Sequence, residues 1–159
     1  MSTFVKTFLL TTFLVSAAFS QNAGFGSIAT DRNKPIQFTS DSLIFNQKKN
    51  IAELFDKVEI IQGESILNAE HVKVIYSKTD NKLEKIFAGI NVVFKSGNDI
   101  AKAENAIYSL LEDTISLSGN AKLFQGSNSI LADQILINTK TGLIQMLGSV
   151  KTIISPSAN

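Results

Sequence analysis

The chain has no cysteine, no tryptophan, a single histidine and only two prolines. Without cysteine there is no disulfide framework, no thiol nucleophile and no thiolate metal site, and His71 alone cannot build a zinc cluster. Charge of one sign is missing too, since 15 Lys and Arg stand against 14 Asp and Glu. A protein that holds nucleic acid by neutralising phosphates needs a basic surplus on one face, so nucleic acid is not expected as a partner. The prolines fall at 35 and 156, leaving 36–155 free of proline as paired strands require. What is present is 44% hydrophobic against 18% charged residues, which excludes disorder for the body of the chain, and 159 residues, one domain's worth.

One apolar run stands out, Phe8 to Phe19, preceded by Lys6, with small residues Ala18 and Ser20 at its end before the cleavage point. It is too short to span a bilayer comfortably, and residues 1–20 read as a secretory signal peptide cut before Gln21, with retention as an inner-membrane anchor as the alternative. Export places the protein in a periplasm-like compartment. Residues 21–35 are polar and Gly-bearing and read as a flexible leader; the folded domain is expected over 36–155, with 156–159 as a tail.

Self-comparison reveals a repeat. Gly63 to Glu70, Gly97 to Glu104 and Gly126 to Asp133 share the pattern Gly, five residues, Ala, acid. Asp41 ends an earlier copy, and a second anchor keeps the same register at Val58, Val92, Ala121 and Val150. The positions two and four after each acid are apolar in every copy: Leu43 and Phe45, Val72 and Val74, Ala106 and Tyr108, Ile135 and Ile137. Stepping by two back from the second anchor gives Leu54, then Ala88 and Ile86, Leu117 and Ile115, Met146 and Ile144; stepping forward gives Ile60, Phe94 and Leu123. A period of two marks half-buried strands. Turn-forming clusters at 46–50, 78–82, 112–113 and 139–142 close antiparallel hairpins, and the Gly and Ala anchors are expected at bends where a strand turns a corner. About four hairpins stack into one curved antiparallel sheet folded on itself, its apolar row inside, with no helix to plug it. The first strand (Ile36, Phe38) and the last (Ile144, Met146, Val150, Thr152) have no repeat beyond them, which leaves two different edges free for head-to-tail strand addition.

The signal peptide, the proline-free repeat with its Gly-Asn-Ala at 119–121, the Gln-Gly pairs at 62–63 and 125–126 and the Ala-acid corners together resemble the OstA-like domain family of lipopolysaccharide transport. The resemblance covers about residues 36–153 and, by length and layout, is greatest to the family's periplasmic bridge component. Asp56-Lys57 in place of Gly-Asn, and Ile90 after a displaced Gly89, depart from the pattern. The resemblance implies an all-β fold, a single twisted antiparallel β-jellyroll. It also implies a carrier that binds lipopolysaccharide through its acyl chains and joins LptC-like inner-membrane and LptD-like outer-membrane OstA-like domains, as well as copies of itself, edge to edge. On that reading the lipid-contacting residues are Phe38, Leu43, Phe45, Leu54, Val58, Ile60, Val72, Val74, Tyr76, Ile86, Val92, Phe94, Tyr108, Ile115, Leu117, Leu123, Ile135 and Ile137. Burying a chain there would contribute about 0.8 kcal/mol per methylene.

Other chemistries fare worse. Asp41, Glu70, Glu104 and Asp133 suggest paired carboxylates for glycoside hydrolysis, yet a catalytic pair need occur once and these recur in every unit, which favours a structural role at turns. His71 alternates outward without a second base beside it and reads as a surface residue. Lys48-Lys49 and Lys82 with Lys85 read as solvated turn residues. No enzyme, cofactor or metal is expected. The rivals to a carrier are an anchored LptC-like component, a structural β-filament module and a short β-solenoid enzyme acting on polysaccharide.

Overall fold

In a computed structural model, which describes Phe25 and residues 27–155, the period-two segments form ten strands of one antiparallel sheet. They are β1 (Ile36–Thr39), β2 (Ser42–Asn46), β3 (Ile51–Gln62), β4 (Ser65–Tyr76), β5 (Leu83–Ser96), β6 (Asp99–Ser109), β7 (Thr114–Gln125), β8 (Asn128–Asn138), β9 (Ile144–Leu147) and β10 (Lys151–Ile153). The long strands β3 to β8 pair in sequence order. β1 and β2 lie along the two halves of β3, and β10 and β9 along the two halves of β8, so each end of the sheet is one bent strand interrupted at its corner. The expected signal peptide and tail lie outside the described residues.

Every strand bends at the same level, and the backbone explains how. Asp56-Lys57, Ile90-Asn91 and Gly119-Asn120 have positive φ at both positions, and Gly148 has φ +82°. Each pair is a bulge opposite the acid of the following strand, as where Phe55 pairs with His71 and Val58 with Ala69 on either side of Glu70. The acids close these corners: Lys57 Nζ donates to Asp41 at 2.9 Å, Asn91 Nδ2 to Glu70 at 2.7 Å, Asn120 Nδ2 to Glu104 at 2.6 Å, and the Ser149 backbone N–H to Asp133 at 3.0 Å. A bulge adds residues without changing which face is inside. Inner side chains therefore recur every second position on either side of the corner, while across it the interval is three on the acid strands (Ala69 to Val72) and four on the bulged ones (Leu117 to Ala121).

Two expectations are corrected here. The glycines that open the repeat are not at the corners: Gly63, Gly97 and Gly126 are the first residues of two-residue hairpin turns, with positive φ there and not at the second position, a geometry that matches the right-handed twist of the strands. Only the Ala of the anchor lies at the bend, where Ala69, Ala103 and Ala132 are buried beside their acids. Second, the segment read as a flexible leader is folded through its described part. Phe25 and Ile28 are buried, and Ile28–Asp31 form a single-turn helix, α1. Two apolar side chains in a polar stretch are too little to signal an element locally. Phe25 is buried against Phe94, and Ile28 sits over Ile60, Leu67 and Ile86, all sheet residues distant in sequence.

Candidate functional site: the apolar interior

The two halves of the bent sheet face each other across one continuous apolar cluster. It contains Leu54, Val58, Ile60, Val72, Val74, Ile86, Val92, Phe94, Ile115, Leu117, Leu123, Ile135 and Ile137 from the sequence-derived set, with Phe38, Tyr76 and Tyr108 packed against it. Two members of that set are placed differently. Leu43 and Phe45 lie opposite Leu54 and Ala52 and thus on the inner face, but they are 58% and 53% exposed because β2 is the last strand at that end. They line the mouth of the interior rather than its middle. Phe45 meets Tyr76 edge-on at 6.3 Å between ring centres. Inner positions that period counting passed over are Ala52, one step beyond Leu54, and Leu67, Ala101 and the corner alanines, which keep step with the Ala before each acid rather than with the acid itself.

Contributions outside the repeat were not legible. Phe25 stacks on Phe94 with ring centres 5.2 Å apart, and Ile28 closes over a cavity of about 40 Å³ walled by Ile36, Ile60, Leu67, Ile86 and Ile115. That is room for one or two waters, not for an acyl chain. The expectation that no helix plugs the interior is therefore overturned: α1 and its flanks do so. Polar side chains hold the segment at the rim. The Phe25 N–H donates to Asp99 at 2.6 Å and the Ser27 and Ser96 hydroxyls lie 2.6 Å apart. The Asp31 carboxylate accepts from the Glu64 N–H at 2.8 Å and the Ser65 hydroxyl at 3.2 Å, and pairs with Lys34 at 2.9 Å. It lies so close over Gly63 that a Cβ there would collide with it. Gln62 Nε2 donates to the Arg32 and Lys34 carbonyls, and the Tyr108 hydroxyl donates to Gln62 at 3.3 Å. Burial pushes the Tyr108 phenol pKa up, so it stays a neutral donor.

On the opposite rim Arg32 pairs with Asp113, in the turn after β6. The same short segment thus touches Asp99 and Asp113, the two ends of β6. If β6, Asp99–Ser109, were straight it would hold the two apart by roughly 33 Å at ~3.3 Å per residue. The chain from Phe25 to Arg32 can span at most roughly 25 Å. Both contacts hold only because β6 is folded back at its corner, which brings the rims together.

Among the described residues no group of three His, Asp or Glu side chains could hold a metal ion. The acids Glu70, Glu104 and Asp133 are spent on corners, and His71 stacks on Phe55 at 4.8 Å on the outer face. At both ends of the sheet, among the described residues, β1 and β2 pair only with β3, and β9 and β10 only with β8, so their outer backbone groups are unpaired. The amino-terminal edge extends beyond Ile36 and Phe38 to include β2, with Ile44 59% exposed. The carboxy-terminal edge carries Ile144, Met146 and Thr152 in its strands, with Val150 at its corner.

A family model described as "LptA/(LptD N-terminal domain) LPS transport protein" matches residues 37–143, more than half of the chain. The chain belongs to that family. An uncharacterized protein of Rhizobium meliloti (strain 1021) is 26% identical over 143 residues, covering 84% of this chain and 77% of its own length. Among solved structures, LptH of Pseudomonas aeruginosa, described as the LptA-homologous periplasmic component of the lipopolysaccharide transport device, has a TM-score of 0.69 at 19% identity. It covers 79% of this chain and 99% of its own. The fold is accordingly that of an LptA-like OstA domain, an open twisted β-jellyroll.

Proposed function

We propose that this LPS transport family member is a non-enzymatic periplasmic carrier, exported by a cleaved signal peptide, that takes lipopolysaccharide acyl chains between the two halves of its sheet and passes them along a head-to-tail bridge. The observation that carries the reading is the apolar cluster itself. It runs without a polar break through every long strand and continues into exposed inner-face side chains, Leu43 and Phe45, at an unpaired edge. A core made only for stability has no reason to continue onto open inner-face aliphatics at a free strand, whereas a path shared with a neighbouring copy or an OstA-like membrane partner does. The lipid contacts proposed are the eighteen interior residues named above; strand addition uses Ile36, Phe38, Ile144, Met146, Val150 and Thr152, joined by Ser42–Asn46.

The test is photocrosslinking in cells, with a photoreactive residue in place of Phe94, Leu117 or Phe45 inside and Lys73 outside. Lipopolysaccharide adducts at the inner three and none at Lys73 support the carrier; adducts at Lys73 alone overturn it. The tight packing around Phe94 is also what a purely structural filament module would have, and that rival expects no adduct anywhere. Phe94→Asp, which puts a carboxylate among Ile28, Leu67 and Phe25 with no cation to pair it, should abolish binding.

A further inference from the structure

Phe25 and Ser27–Lys34 are joined to the sheet in an unusual way. The segment's own backbone bonds are local, from Ile28, Thr30, Asp31, Arg32 and Lys34 back to residues three or four before each. Every hydrogen bond it makes to the sheet involves a side chain on at least one side: Asp99, Ser96, Gln62, Asp31 and Arg32. No strand ladder has to be broken to lift it. Yet its two apolar side chains are more deeply buried than most of the sheet's own, with Phe25 1% and Ile28 4% exposed. They lie between the halves of the sheet, over a cavity of about 40 Å³. An apolar plug on a polar, ladder-free mount is removable as a unit, at a free energy below that of global unfolding.

Resting on the carrier reading, we propose that this segment is a strap that competes with acyl chains for the interior: Phe25 and Ile28 take the place of part of a chain, and lipid enters as they leave. The two rims are then free to part, because the Arg32–Asp113 pair and the Asp31 contacts that bridge them leave with the strap. Exchange of one apolar occupant for another keeps the interior out of water throughout, which an open groove would not. The strap thereby makes entry depend on a ligand with enough apolar surface to displace it.

The absence of cysteine allows a clean test. Ser27 and Ser96 have hydroxyls 2.6 Å apart, so the Ser27→Cys/Ser96→Cys variant places two thiols within bonding reach, and oxidation locks the strap down. Binding is read with lipopolysaccharide carrying a fluorescent label on its sugar. The oxidised form should bind at least tenfold more weakly than the same protein after reduction, and the reduced form should match wild type. Equal affinity of the oxidised and reduced forms overturns the strap and leaves the carrier reading standing. No binding by wild type, reduced or oxidised protein overturns the carrier reading and the strap with it. A second measurement follows the strap directly, through maleimide labelling of Ile28→Cys, whose thiol is buried. Saturating lipopolysaccharide should accelerate labelling at least tenfold, and a rate unchanged by lipid shows that the strap stays in place and sinks the proposal.

Discussion

Replacing Ile90 by glycine should make this protein more stable, although it deletes a large aliphatic side chain from the middle of a fourteen-residue strand. Ile90 is the first residue of the β5 corner, with φ +66°, followed by Asn91 at +55°. The equivalent position in β7 is Gly119. An L-residue in the left-handed region costs roughly 1–2 kcal/mol, and a β-branched one lies at the upper end of that range. Ile90 recovers little of this by packing, because it is 56% exposed. Glycine relieves the strain but has more freedom to lose on folding, about 0.5–1 kcal/mol. The net expectation is a gain of about 1–1.5 kcal/mol, or roughly 3–6 °C in Tm for a domain of this size. The measurement is paired urea and thermal unfolding of wild type, Ile90→Gly and Ile90→Asn, with asparagine expected between the other two because it tolerates the left-handed region. A loss of more than about 0.5 kcal/mol for the glycine variant would refute the reasoning, since that magnitude requires the isoleucine side chain to be buried or the corner to be extended.

Gly119→Ala should cost about 2 kcal/mol, combining left-handed strain with a Cβ driven into the Glu104 side chain; adding Glu104→Ala should recover part of the loss in the same melts, and strict additivity would show that the two do not touch. Burial alone would raise the Asp31 pKa, but Lys34, the Glu64 N–H and the Ser65 hydroxyl outweigh it and hold the carboxyl below its ordinary 3.8. A depressed carboxylate contributes stability above its unfolded-state pKa and loses it as pH falls through the folded value, so the Tm gap between wild type and Asp31→Asn should be constant from pH 7 to pH 5 and close below 3.8; a gap that widens on acidification contradicts this. For assembly, wild-type protein should grow in mass with concentration by light scattering, whereas Phe45→Asp at one edge and Thr152→Pro at the other should each remain monomeric; a wild type that stays monomeric at high concentration, and captures its membrane partners no better than Thr152→Pro, removes the bridge.

The all-β architecture, the repeat and the facing of most side chains were legible in the sequence because each rests on a local signal. Alternation decides a strand's inner face within four or five residues, as at Leu54 or Val72, and a recurring acid opposite a bend keeps its register in every copy, as Glu70, Glu104 and Asp133 do. The outermost strands among the described residues are also those at which the repeat begins and ends. What it could not carry is whatever depends on distant contacts. Phe25 and Ile28 sit in a polar stretch with no periodicity, and only closure of the sheet, which brings Ser96 and Asp99 beneath them, makes them a plug. The same alternation that puts Leu43 and Leu54 on one face says nothing of their exposure, which differs from 58% to 2% because one has a strand beyond it and the other does not. Periodicity fixes the direction of a side chain; what lies opposite it is set by chain segments far away, and so tertiary structure alone decided which part of the interior is covered and which stays open at the mouth.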